Sequence, residues 1–171
     1  MNTKTYLTAL AAALAIGGAA YFTTTGLSAA TITASMPVSA TVNNNCTITT
    51  NPIAFGSYDP IVANDTANLD ATGAVIIACT KGAVTTLGLD SGANVSAGAR
   101  RLASSGNFLT YELYQDSNRS TVWGNSGAAL YNSGTSPSKD ARTFSVYGRV
   151  AGNQDVPAGS YTDTIVATVN F

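Results

Sequence analysis

No stretch of this 171-residue chain keeps a helical period between two caps; where apolar residues recur, they recur at every second position. A period of two places side chains on alternate faces of an extended strand, which restricts the chain to β architectures. The longest such run is Thr31 to Val42. Its even positions are Ile32, Ala34, Met36, Val38, Ala40 and Val42; its odd positions are Thr31, Thr33, Ser35, Pro37, Ser39 and Thr41. One face of such a strand suits a core and the other suits water. Two readings of the run stay open on the residues alone. It is the first strand of its own sheet, or a strand lent to the edge of another sheet, where main-chain bonds and alternate side chains would hold it. Pro37 has no N–H to give a ladder and favours an edge or a strand start, so it bears on where a lent segment would end.

Further strands follow at intervals of roughly ten residues, with Gly and Asn turns between them, the pattern of an antiparallel sandwich. Ala74 to Cys79 is apolar on both faces, as a strand inside a sheet would be. Val84 to Asp90, a run around Leu109, Tyr111 and Leu113, and a run from Phe144 to Val150 are the next three. The stretch from Asn118 to Asp140 is the least patterned and is expected to hold loops and a short edge strand. After the turn at Val156-Pro157-Ala158-Gly159-Ser160, the last run extends from Tyr161 to Phe171.

Residues 1–30 read as an export signal, with Lys4 in the positive region, Leu7 to Ala20 apolar, and Ser28 and Ala30 fitting a small-x-small cleavage site before Thr31. The alternative, a membrane anchor, would want about 18 or more apolar residues, and the run breaks at Tyr21 to Thr25. In an exported chain the two cysteines, Cys46 and Cys79, read as a disulfide; two free thiols are the alternative.

Composition argues against several functions. The chain has no histidine, and therefore neither the usual general base nor the commonest metal ligand. Asp59, Asp65, Asp70 and Asp90 are spread over turns, where Asp bonds to its own backbone, and no calcium-loop spacing occurs. With 8 basic against 9 acidic residues there is no basic patch for nucleic acid. No catalytic residue, metal, cofactor or small-molecule substrate is expected. Tyr111, Tyr114, Arg119 and Trp123 form either a glycan-binding patch or cross-strand packing, the commoner role of such aromatics. Arg100, Arg101, Arg142 and Arg149 are expected as surface or packing residues, with Arg100 and Arg101 on opposite faces of a strand.

Several stretches together resemble the spore coat protein U domain family, which includes major subunits of archaic chaperone–usher pili. They are Asn45-Cys46-Thr47-Ile48, Phe55-Gly56-Ser57-Tyr58-Asp59-Pro60, Ala78-Cys79-Thr80-Lys81-Gly82, Leu87 to Gly92 and Arg100-Arg101-Leu102. Tyr111 to Asp116 with Arg119 and Val122-Trp123-Gly124 continues the series, which ends with Val146 to Arg149, Val156 to Thr164 and Thr168 to Phe171. The resemblance spans residues 31–171. It implies an incomplete immunoglobulin-like β-sandwich that lacks its last strand and is completed by a donated N-terminal strand. Residues 31–42 become the donor, with Ile32, Ala34, Met36, Val38 and Ala40 as its inserting residues, and residues 43–171 become the pilin domain. Ile165, Ala167, Val169 and Phe171 become the last-strand wall of the acceptor groove, and the family's bridge falls on Cys46 and Cys79. The implied partners are identical copies of the chain, a periplasmic chaperone and an outer-membrane usher. The implied role is a structural one in a surface pilus outside the cell, serving adhesion and biofilm formation. A secreted spore or cell-coat protein that forms no fibre is the second reading. A monomeric carbohydrate-binding module is the third, and would need an exposed aromatic row on one sheet face.

Overall fold

The computed structural model describes residues 29–171; the expected export signal at 1–30 lies almost wholly outside them. The chain divides at Ser39 and Ala40 into two units. In the first, residues 29–39 are exposed and belong to no hydrogen-bonded ladder. Ile32 is 96% and Met36 86% exposed.

The second unit is an all-β sandwich. Its strands are β1 (Cys46–Asn51), β2 (Leu69–Cys79), β3 (Val84–Leu89), β4 (Arg100–Ser104), β5 (Asn107–Tyr114), β6 (Tyr131–Thr135), β7 (Arg142–Val150) and β8 (Ala167–Asn170), with one 3-10 turn at Gly127–Ala129. One sheet has the order β1-β2-β7-β5-β4, the other β6-β3-β8, and every pairing is antiparallel. β2 lies between β1 and β7, the interior position that suits a strand apolar on both faces. Its odd residues Val75, Ile77 and Cys79 enter the core. They meet Leu87 and Leu89 of β3, Leu109 and Leu113 of β5, and Val146 and Val150 of β7. β6 is the short edge strand inside the least patterned stretch.

Cys46 and Cys79 are register partners on β1 and β2 and form a disulfide. Thr80 extends the same corner: its N–H donates to the Asn45 carbonyl at 2.9 Å, and its hydroxyl accepts the Asn45 N–H at 3.0 Å. The body of the domain therefore begins at this disulfide end. Phe171 lies at the same end, because Asn170 pairs with Thr86 near the start of β3. The opposite end holds Leu69, paired with Val150, and the Tyr58–Asn64 loop.

The last run is a regular ladder only over Ala167–Asn170. Upstream, the chain crosses from β3 towards β4. Val166 accepts the Asp90 N–H, Thr164 accepts the Ala93 N–H, and Thr162 exchanges both backbone bonds with Ala103. The two-residue period persists through this crossing, with odd residues turned inward and even residues outward from Tyr161 to Asn170.

Of the two arginines expected on opposite faces of a strand, Arg100 is the packing one. It sits inward on β4, 4% exposed, and its guanidinium is fully engaged. Nε donates to the Asp90 carbonyl at 2.9 Å, and Nη2 donates to the carbonyls of Leu89 at 3.0 Å, Asp90 at 2.6 Å and Trp123 at 2.8 Å. Nη1 pairs with Glu112. Arg101 points the other way and lies 3.8 Å from the centroid of the Phe108 ring. Arg142 reaches into a buried polar cluster with Thr85, Ser133 and Ser136, whereas Arg149 stays on the outer face, bonded twice to Asp70.

Candidate functional site

After β1 the chain leaves the sheet edge at Pro52 and lies across the inner face of the five-stranded sheet. Two glycines make this possible. A methyl group at Gly73 would stand 2.5 Å from Ile53 Cγ1, and one at Gly148 would stand 2.8 Å from the Phe55 ring. Both positions face inward, so the bare backbone forms a notch that receives Ile53 and Phe55. Phe55 also meets Tyr111 edge-on, with centroids 6.0 Å apart.

Across from this segment runs the last one, Tyr161 to Val169, and between the two lies an open groove. It consists of two clefts of about 290 Å³ and 740 Å³ that share Ile53, Phe55, Leu102 and Asp163 in their walls. The smaller is floored by Val75, Leu89, Leu113 and Val146 and walled by Ile165 and Ala167. The larger opens at the end of the domain opposite the disulfide, among Tyr58, Leu69, Val156 and Tyr161.

Main-chain groups line both edges of the groove. Within residues 40–171 neither the Ile53–Ser57 backbone nor that of Asp163 and Ile165 has a backbone partner, and β8 pairs on one side only, with β3. Two facing rows of free N–H and C=O groups make a template for one more strand. Of the four residues expected as the last-strand wall, Ile165 and Ala167 line the groove. Val169 packs on the core beyond it, and Phe171 is more than half exposed. The opposite wall is Ile53 and Phe55, which keep the two-residue spacing after Pro52 but carry no sequence signal of a groove. The expected donor residues Ile32, Ala34, Met36 and Val38 lie in the exposed first unit, and Ala40 is exposed at the start of the second.

One charged side chain interrupts the groove. Asp163 turns inward where the clefts meet. Its Oδ2 accepts the Tyr111 hydroxyl at 2.7 Å, and its Oδ1 accepts the Asn94 side-chain amide at 3.0 Å and the Asn94 N–H at 3.2 Å. Burial first, and then the bond to Asp163, push the Tyr111 phenol well above its ordinary value near 10. A phenol raised in the fold is neutral there, so its contribution is complete below about pH 10 and is lost as pH rises above that. Tyr111→Phe should cost about 1 kcal/mol at neutral pH through the lost hydrogen bond. The gap to the parent, read from urea midpoints, should narrow above about pH 10. A gap constant with pH would mean that Tyr111 is not the source of the alkaline loss.

The four residues weighed as a glycan patch do not form one surface. Trp123 is wholly buried, stacked on Tyr131 at 4.7 Å, with its Nε1 donating to the Leu87 carbonyl. Tyr111 faces the groove, and Arg119 lies on the outer face of the sheet beside Tyr147 and Asp70. Among the described residues no cluster of three metal-ligating side chains occurs.

The spore coat protein U domain matches residues 32–168. The chain belongs to that family. Protein U of Myxococcus xanthus is 37% identical to it over 158 residues, which cover 84% of this chain and 87% of that protein. Among solved structures, the domain overlays on a crystal structure of the CsuC–CsuE chaperone–tip adhesion subunit pre-assembly complex from archaic chaperone-usher Csu pili of Acinetobacter baumannii. The TM-score is 0.54 and the identity 24%, over 77% of this chain and 41% of that one. The chain thus spans about two fifths of the solved chain, and the overlay establishes the fold alone.

Proposed function

We propose that this protein is the structural subunit of a surface pilus, polymerised by strand donation between copies. Residues 31–42 of one copy fill the groove of the next, with Ile32, Ala34, Met36, Val38 and Ala40 facing its floor. The observation that carries this reading is the match between an unpaired alternating segment and an unpaired groove whose inward wall has the same period of two. Burial of Ile32, Met36 and Val38 would contribute roughly 1.5–3 kcal/mol each, and the free main-chain rows would be paired. Such an interface is heterologous: each copy gives at one surface and receives at another, which builds an open fibre rather than a closed ring.

An unfilled groove is an aggregation hazard, so the subunit needs a chaperone in the periplasm and an usher in the outer membrane to exchange chaperone for neighbour. The Csu complex, in which a chaperone holds a tip adhesion subunit before assembly, supports a chaperone partner of this kind. Export by a cleaved leader, display on the cell surface, and a part in adhesion and biofilm formation complete the reading. Membership of the spore coat protein U domain family leaves a second role, a secreted coat component that forms no fibre. Unboiled gel electrophoresis and negative-stain microscopy of the exported protein separate the two. A heat-labile ladder with thin fibres is expected. A single stable monomer would overturn strand donation and bring the coat reading forward.

A further inference from the structure

The Tyr58–Asn64 loop is rigidly built, yet it presents two large apolar side chains to solvent. The Asp59 carboxylate accepts the N–H groups of Ile61 at 2.9 Å and Val62 at 3.2 Å. Asn64, 4% exposed, ties the base of the loop. It exchanges bonds with both backbone groups of Asp59, its amide donates to the Ala67 carbonyl, and its own carbonyl accepts the Asn153 N–H. On this frame Ile61 is 80% and Val62 78% exposed. Ordered, adjacent, outward apolar residues mark a contact surface.

The position of the loop identifies the occupant, given the strand donation proposed above. Each copy's segment leaves its body at the disulfide end. If a groove were entered from that end, the incoming body would occupy the surface from which the receiving copy's own segment departs. Filling from the opposite end removes this conflict and lets one operation repeat indefinitely. At that opposite mouth stand Tyr58, Pro60 and Tyr161. The body of the donating copy begins immediately after residue 42, so its disulfide end comes to rest against the mouth. That end bares an apolar side chain of its own, Val84.

We infer that the Pro60–Val62 loop is a second contact between consecutive copies, receiving the disulfide end of the copy whose segment fills the groove. The loop sets the angle at which successive copies meet, while the groove provides the connection itself.

The test is a full-length chain carrying Val62→Cys with Asn44→Cys, assembled into fibres and treated with a short bismaleimide. Boiled, reduced gels should show a covalent ladder, and a Thr72→Cys with Asn44→Cys control, with Thr72 on the outer sheet face, should show none. Fibres of an Ile61→Ser, Val62→Ser chain should form in normal yield but show a broadened distribution of angles between copies. Fibres without a ladder, or with unchanged angles, would overturn the contact while leaving strand donation standing. If the serine chain keeps its angles but loses retention on polystyrene, the loop faces an external apolar surface and the contact is likewise refuted. Absence of fibres from the unmodified chain would remove strand donation, and this contact with it.

Discussion

A chain carrying Met36→Asp is expected to fold normally and to form no fibres. Met36 is 86% exposed in the single chain, so the change costs the isolated domain almost nothing, and its thermal melt should match that of the parent. The effect falls on assembly. In the proposed interface position 36 faces a floor of Val and Leu side chains, where an ionised carboxylate has no partner and costs several kcal/mol at least. At about 1.4 kcal/mol per tenfold, that is enough to stop polymerisation at ordinary concentrations. Val38→Asp should behave alike. Deletion of Thr31 to Ala40 separates giving from receiving: the shortened chain has an intact groove and no segment to lend. Added to growing fibres it should cap them and shorten their mean length. Sedimentation and negative-stain length distributions read both effects. Fibres of normal length from Met36→Asp, or from the deletion alone, would show that residues 31–40 are not the joining element.

The strands were legible because a period of two survives in them. β2, β3, β5 and β7 stand where the alternation put them, and Tyr161 to Asn170 alternates even where its ladder is broken. The groove was only half legible. One wall, at Ile165 and Ala167, lies on a run that the period marks as a strand and that the family resemblance makes a groove wall. The other depends on Gly73 and Gly148, which look in the sequence like weak points in strands and in the fold make room for Ile53 and Phe55. The fate of residues 31–42 was not legible for a different reason. A home strand and a lent strand need the same alternation, since either must bury one face on a sheet's core. Only the free edges of the groove bear on the choice, and they arise from pairings distant in sequence. The role of Arg100 was only partly legible. Adjacent arginines in a strand point to opposite faces, which turns one of them inward, but nothing local signals that three carbonyls and a carboxylate converge on Arg100.

That convergence makes Arg100→Ala the most damaging single change expected in the domain. It would leave the carbonyls of Leu89, Asp90 and Trp123 without their donor and Glu112 without its cation. Glu112 keeps 31% of its side chain exposed, so the loss lies mainly in the carbonyls left unpaired, about 1–3 kcal/mol each, together a large part of the 5–15 kcal/mol roughly typical of a whole domain. Arg100→Lys should recover only part of the loss, because a compact ammonium keeps the charge but cannot reproduce a planar fork reaching several acceptors. Urea unfolding with an unchanged slope would report both. The damage should also reach the groove. Arg100 holds the Asp90 carbonyl, while the Asp90 N–H and side chain hold Val166 through its carbonyl and N–H. Val166 is the residue between Ile165 and Ala167 in the groove wall. Hydrogen exchange at Val166 should therefore quicken in Arg100→Ala by more than at Ile77, deep in β2. Equal acceleration at both sites would mean that Arg100 supports the sandwich as a whole and has no particular hold on the wall where a neighbouring strand is proposed to pair.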